Sequence, residues 1–237
     1  MGQIVTLDQN MINMIAAGEV IERPASVVKE LMENSIDAGA TKITVSVEDG
    51  GRKLISVADN GCGMDAEDLS LAFESHTTSK IKGSADLLGI STLGFRGEAL
   101  ASIASVAQVR AVSRTKDSLC AYGIEIDCGD KGDITPCSGD CGTTIQIRDL
   151  FYKMPGRRKF LKTANTEMGH ITEQFIRIAL ANAFAAEAAK LDMTLIHNGK
   201  EIYRLAARQT LHQRIADLFS SEIADNLIET ESSEKGL

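Results

Sequence analysis

Pro24-Ala25-Ser26-Val27-Val28-Lys29-Glu30-Leu31-Met32-Glu33-Asn34-Ser35-Ile36-Asp37-Ala38-Gly39 reads as one helix with a single apolar stripe. Pro24 suits a first helical turn, where a missing N–H goes unnoticed. Val27, Val28, Leu31 and Met32 recur at helical spacing, and Ala38-Gly39 ends the pattern. Directly afterwards Ile43, Val45 and Val47 alternate with Thr44 and Ser46, the signature of a half-buried strand. Asp49-Gly50-Gly51 is a turn, and Lys53 to Ala58 is its return strand. A helix running into a hairpin predicts a layered α/β or α+β architecture.

Outward from this stretch the alternation continues. A small-residue helix is predicted from Glu98 to about Ser105, followed by strands over 106–113, 120–126 and 143–147. The Gly-rich interval Cys128 to Gly142 reads as an exposed loop. Helices are expected over 156–162 and 166–190. Asn198-Gly199 between Met193–Ile196 and Glu201–Leu205 signals a hairpin. A last helix runs from Leu211 to Phe219, and the acidic tail after it reads as a linker or the edge of another domain.

The 237 residues amount to about one and a half domains, enough for a full core. With 43% hydrophobic and 24% charged residues the composition is that of a globular chain. No apolar run approaches the roughly 18 residues of a membrane helix, and the N-terminus lacks a secretory pattern. Acidic residues number 33 against 25 basic, a net charge of −8, which argues against general polyanion binding. Trp is absent and aromatics are 4%, so base-stacking platforms are not expected. The five cysteines, an odd number without a C-x-x-C pair, read as thiols of a reducing compartment.

Four segments carry chemistry. Glu30, Asn34 and Asp37 at i, i+4 and i+7 share one helix face, away from the apolar stripe. A solvated polar face has the same spacing, so neighbouring segments must decide. Asp59-Asn60-Gly61-Cys62-Gly63 puts an acid at a strand end before two glycines, a design for a pocket that accepts an amine; a tight turn looks alike. Gly94-Phe95-Arg96-Gly97-Glu98-Ala99-Leu100 runs glycines into a helix start, where free N–H groups and the helix dipole attract anions. It is neither a G-x-x-x-x-G-K-S/T loop nor a G-x-G-x-x-G turn. Thr77-Thr78-Ser79-Lys80 offers hydroxyls and a cation to phosphate oxygens, or is an exposed loop. Together these are the parts that ATP hydrolysis needs: a base, an amide ligand for Mg²⁺, an adenine acceptor and a phosphate cradle.

At these residues the chain resembles the MutL DNA mismatch-repair family. The resemblance rests on Ile15–Leu31, on Glu33-Asn34-Ser35-Ile36-Asp37-Ala38-Gly39-Ala40, on the Asp59 segment, on Gly94 to Ile103, on Gly142-Thr143-Thr144 and on Arg157-Arg158-Lys159-Phe160-Leu161. It covers residues 4 to 205. It implies the GHKL ATPase fold, an α+β sandwich with a mixed, mostly antiparallel sheet and helices on one face. It also implies Glu30 as general base, Asn34 as the Mg²⁺ ligand, and Asp59 on adenine with Gly63 and Thr143 nearby. Thr78, Ser79 and Lys80 would contact phosphates, and Gly94, Phe95, Arg96, Gly97, Glu98, Ala99 and Leu100 would wrap them. Residues 1–15 would be an arm that orders across a second subunit, within an ATP-binding domain spanning 1–205. Residues 206–237 would be a linker and the truncated start of a second domain.

By the same resemblance ATP drives dimerisation, as a homodimer or a paralogue heterodimer, and relays signals from a mismatch-recognition protein to downstream repair enzymes. DNA would bind the intact dimer, and only weakly this acidic fragment, where Arg157-Arg158-Lys159 with Lys153 and Lys162 form a basic run that also reads as a solvated helix face. No membrane role is implied, and the location is cytoplasmic in a bacterium or nuclear in a eukaryote. Where the family reads Phe-Tyr-Asn-Thr-Pro-Ala-Arg-Arg, this chain has Phe151-Tyr152-Lys153-Met154-Pro155-Gly156-Arg157-Arg158. Segments 128–142 and 183–191 also diverge, and the second-domain lysine that reaches the γ-phosphate lies beyond this chain. An interaction module that binds ATP with little hydrolysis, or another GHKL activity, is the alternative.

Overall fold

The alternating residues of the hairpin open a sheet that is buried on one face only. The computed structural model describes residues 12, 17, 21–75, 77–78, 97–184 and 191–228. Among them nine strands form one sheet: β1 (Lys42–Glu48), β2 (Leu54–Asp59), β3 (Gln108–Arg114), β4 (Ala121–Asp127), β5 (Asp130–Lys131), β6 (Thr135–Cys137), β7 (Gly142–Arg148), β8 (Asp192–His197) and β9 (Lys200–Leu205). Their order is β5-β4-β3-β7-β2-β1-β8-β9, with β6 also on β4. Only β1 and β8 run parallel; the other pairs are antiparallel.

Register puts Leu195, Val45, Val57, Ile145, Ala111 and Ile124 side by side in one row, all buried. Their strand neighbours Thr44, Ser46, Ser56 and Gln146 are half-buried and Arg110 is exposed, so a period of two divides the faces. Two long helices cover the apolar face. In α1 (Pro24–Asp37) Pro24 occupies the first turn, and Val27, Val28, Leu31 and Met32 are fully buried. In α5 (Ala164–Phe184) Met168, Ile171, Phe175, Ile178 and Ala179 join the same core. Burial of each such large side chain contributes about 1.5–3 kcal/mol. This is the mixed, mostly antiparallel α+β sandwich expected.

Shorter helices complete it: α2 (Ala66–Leu71), α3 (Ala99–Val106), α4 (Pro155–Arg158), α6 (Leu211–Leu218) and α7 (Ser221–Asp225). Three local expectations change. The interval 128–142 is not simply a loop, because Cys128 and Gly129 at positive φ turn the chain back to pair β5 and β6 with β4. Strands of two and three residues carry too little alternation to be read in advance. The helix expected over 156–162 is only the single turn α4, and Phe160 stays 82% exposed. The long helix ends at Phe184, and 185–190 lie outside the described residues.

After β9 the chain turns back on itself. Thr210 and Gln213 form a reciprocal capping box at the start of α6. Leu218 joins the central core, and Arg214 is fully buried.

Candidate functional site

The next inward-facing row of the sheet changes character. It reads Met193, Ile43, Asp59, Thr143, Ser113 and Tyr122. Asp59, Thr143 and Ser113 thus stand side by side at one end of an otherwise apolar face, with Asp59 against α1. Ser35, on the buried side of α1, places its hydroxyl 2.8 Å from Asp59 Oδ2 and 3.0 Å from the Leu31 carbonyl. It has one proton, and the carboxylate is the stronger acceptor. Asp59 Oδ1 accepts from the Gly61 N–H at 2.8 Å and the Thr143 N–H at 3.3 Å.

Ser113 ties the following loop to the sheet. Its Oγ accepts from Met64 N–H at 2.8 Å, meets Thr143 Oγ1 at 2.8 Å and donates to the Gly142 carbonyl at 3.1 Å. That seat requires glycine at 63, where φ is +71 and a Cβ would lie 2.1 Å from the Arg114 carbonyl oxygen. Asn60 has a structural task instead: its Oδ1 accepts from the Thr41 and Lys42 N–H groups, both at 2.8 Å. A cleft of about 340 Å³ opens behind this loop, lined by residues including Cys62, Lys116 and Asp117. Asp59, Gly63 and Thr143 do not line it, so hydrogen bonding rather than concavity defines the site.

On α1 the residue before Ser35 is Asn34, and Glu30 stands one turn earlier; both are half-buried. Lys29 bonds Glu30 Oε1 at 3.2 Å and Glu33 Oε2 at 2.7 Å. Burial works against its charge, but the Glu33 hydrogen bond and the Glu30 charge outweigh it, so the Lys29 pKa is raised.

The expected phosphate side is described in part. Ser79, Lys80, Gly94, Phe95 and Arg96 lie outside the described residues. Thr78 and the segment Gly97, Glu98, Ala99 and Leu100 are described. Gly97 has φ +63, and a Cβ there would fall 2.2 Å from the Thr77 carbonyl oxygen and 3.1 Å from Thr78 Cβ. Threonine pair and glycine turn are therefore in direct contact. Glu98 makes no side-chain cap on α3, so the first N–H groups of that helix are left to other acceptors.

The structure thus brings Asp59, Gly63 and Thr143 into one network and Thr78 against Gly97. Sequence reasoning missed Ser35 and Ser113. Ser35 had a readable signal, a small polar residue on the apolar stripe of Val28, Leu31 and Met32. Ser113 had none within its own strand.

The divergent turn at 151–154 forms a separate cluster. The Tyr152 hydroxyl donates to Asp127, and Lys153 Nζ lies 3.1 Å from Asp127 Oδ2 and 5.6 Å from the Tyr152 ring centre. The Tyr152 hydrogen bond, aided by Lys153, holds the Asp127 carboxyl below its usual range. Asp127 in turn pushes Lys153 up to about 12. The Lys153 contribution is complete below 10.5 and disappears as pH rises through about 12. The Asp127 contribution, complete above its unfolded pKa, is lost as pH falls through the depressed value. Melting wild type and Lys153→Met across pH should give a difference that is steady near neutrality and closes at both extremes. A pH-independent difference would reject the ion pair as its cause.

Residues 21–136 match the family model described as "Histidine kinase-, DNA gyrase B-, and HSP90-like ATPase". The DNA mismatch repair protein MutL of Lactococcus lactis subsp. cremoris is 45% identical over 234 residues, covering 99% of this chain and 35% of the relative. MutL of Neisseria gonorrhoeae is 44% identical over 237 residues, covering 100% of this chain and 35% of the relative. The chain therefore spans about a third of the length of these curated relatives. The structure of the Aquifex aeolicus MutL ATPase domain complexed with ADP superposes with a TM-score of 0.69 at 33% identity, covering 84% of this chain and 70% of that one.

Proposed function

The chain belongs to the family of MutL ATPase domains, and from that premise we propose that it binds ATP with Mg²⁺ and hydrolyses it. The observation that carries this reading is the Asp59 carboxylate. Three donors, Ser35 Oγ and the N–H groups of Gly61 and Thr143, occupy three of its roughly four lone-pair positions. The fourth suits an N–H donor such as the exocyclic amine of adenine, and Gly63 lets its loop seat directly against the Arg114 backbone beside that carboxylate.

Asn34 fits Mg²⁺ as a single neutral oxygen ligand, the kind of contact expected for an ion that keeps most of its water and shares phosphate oxygens. Bound there, Mg²⁺ would neutralise charge on the phosphates. In this reading Thr78, Ser79 and Lys80 would contact phosphate oxygens and Gly94 to Leu100 would wrap them, with only Thr78 and Gly97 to Leu100 among the described residues. Glu30, one turn from Asn34, accepts the proton of the water that attacks the γ-phosphorus. Lys29, shared between Glu30 and Glu33, restrains that carboxylate.

The relatives' role in mismatch repair supports a wider proposal. ATP binding would drive pairing with a second subunit, with residues 1–15 as the crossing arm, and hydrolysis would reset it. The signal would pass from a mismatch-recognition protein to downstream repair enzymes, with DNA held by the dimer. The bacterial relatives favour a cytoplasmic setting; no helix among the described residues is long and apolar enough to cross a membrane.

Calorimetric titration of ATP–Mg²⁺ into wild type and Asp59→Ala tests the site. Removal of a charged hydrogen-bond acceptor should weaken binding about 10- to 100-fold. Equal affinity in the two proteins would remove Asp59 from the nucleotide site.

A further inference from the structure

The edge strand β5 reaches the base of the proposed phosphate-binding segment. Helix α2 ends at Leu71, and its last carbonyls have no partner within the helix. Lys131 on β5 donates from Nζ to the Ser70 carbonyl at 2.7 Å and to Glu74 Oε1 at 2.9 Å. A cation at a helix C-terminus also meets the negative end of its dipole. The next carbonyl, that of Leu71, lies 2.6 Å from the Thr77 hydroxyl, which also lies 2.9 Å from the Glu74 carbonyl. Thr77 then fills with its own carbonyl the space a side chain at Gly97 would need.

These contacts form an unbroken chain: Lys131, the end of α2, Thr77, Gly97, α3. We propose that Lys131 is a positioning residue for ATP binding, fixing through Thr77 the glycine turn that presents the α3 N–H groups to phosphate. The proposal rests on the ATPase reading above.

Arg177 and Glu173 lie one turn apart on α5 and restrain only that helix surface. Lys131 and Glu74 are 57 residues apart and join the sheet edge to the segment entering the site. The Lys131 hydrogen bond also holds the Glu74 carboxyl below its ordinary range. Nothing in this arrangement touches the reacting atoms, so its loss should act on affinity rather than on chemistry.

The test compares wild type, Lys131→Met and Lys131→Arg. Amide hydrogen exchange is measured without nucleotide, and KM for ATP and kcat are measured by phosphate release. Lys131→Met should speed exchange over 72–78 and 97–102 and raise KM about three- to ten-fold, with kcat within about two-fold of wild type. Lys131→Arg, which keeps the cation, should restore both. Unchanged exchange and KM in Lys131→Met, or a fall in kcat alone, would overturn the positioning role while wild-type turnover upholds the ATPase reading. A wild type that neither binds nor hydrolyses ATP would overturn that reading and this proposal with it.

Discussion

Glu30→Ala will bind ATP–Mg²⁺ with nearly wild-type affinity and release phosphate about a hundred- to ten-thousand-fold more slowly. That range is the ordinary contribution of a positioned general base. Affinity should survive because the adenine contact proposed above lies elsewhere, at Asp59, which Ser35 and Thr143 hold in place. The fold should survive because Glu30 lies on the half-buried face of α1, and Lys29 keeps its shorter bond to Glu33 at 2.7 Å. Alanine is also the best helix former, so backbone propensity does not suffer. Glu30→Gln is the sharper companion, with the shape retained and the proton acceptor removed. Single-turnover phosphate release beside equilibrium binding separates the two quantities. Unchanged turnover in either variant would reject Glu30 as the base. Negligible turnover in the wild type, with binding intact, would favour the nucleotide-responsive interaction module.

Arg214→Ala should destabilise the fold by about 3–5 kcal/mol, among the larger effects of a single substitution. The guanidinium is fully buried, an unusual place for a charge. Its Nη2 donates to the Ala206 carbonyl at 2.6 Å and the Leu191 carbonyl at 3.1 Å, and its Nε to Gln209 Oε1 at 3.2 Å. Burial lowers its pKa, and Asp192 and Asp217 counter the shift. Truncation leaves the buried Leu191 carbonyl without this donor, breaks the part-buried bond to Ala206, and opens a cavity the size of a long side chain. Arg214→Met fills most of that space and should recover part of the loss, which isolates the hydrogen-bonding share. Thermal unfolding should show a drop of about 10 °C for Arg214→Ala. Two variants melting within about 1 °C of wild type would show that the buried guanidinium is dispensable.

These residues differ in how legible they were. Glu30 and Asn34 could be placed because helix periodicity is local, and four residues suffice to define a face. Asp59 was marked by the glycines that follow it. The company it keeps was not, because Thr143 reaches it across 84 residues and Ser113 reaches Thr143 across 30. Only strand register makes these three neighbours, and register is a property of the assembled sheet. The layers and most strands followed from alternation, whereas β5 and β6 were too short to show it. Arg214 was hidden for the opposite reason. A lone basic residue on an amphipathic helix reads as solvent-facing, and its burial is explained by acceptors brought from outside its helix, the carbonyls of Leu191 and Ala206 and the side chain of Gln209.

The parallel pairing of β1 with β8 sets an order of events during synthesis. Strand β1 is made early, yet its second partner is separated from it by β2, β3, β4, β7 and the whole of α5. Chains emerge from the ribosome at about 5–20 residues per second, so β1 waits several seconds for β8. Throughout that interval one edge of β1 has unsatisfied backbone groups, and Ile43, Val45 and Val47 lack much of the cover that buries them in the finished fold. A nascent chain that contains the first hairpin but not yet the last is the species most open to intermolecular strand pairing, and the one a holding chaperone would meet.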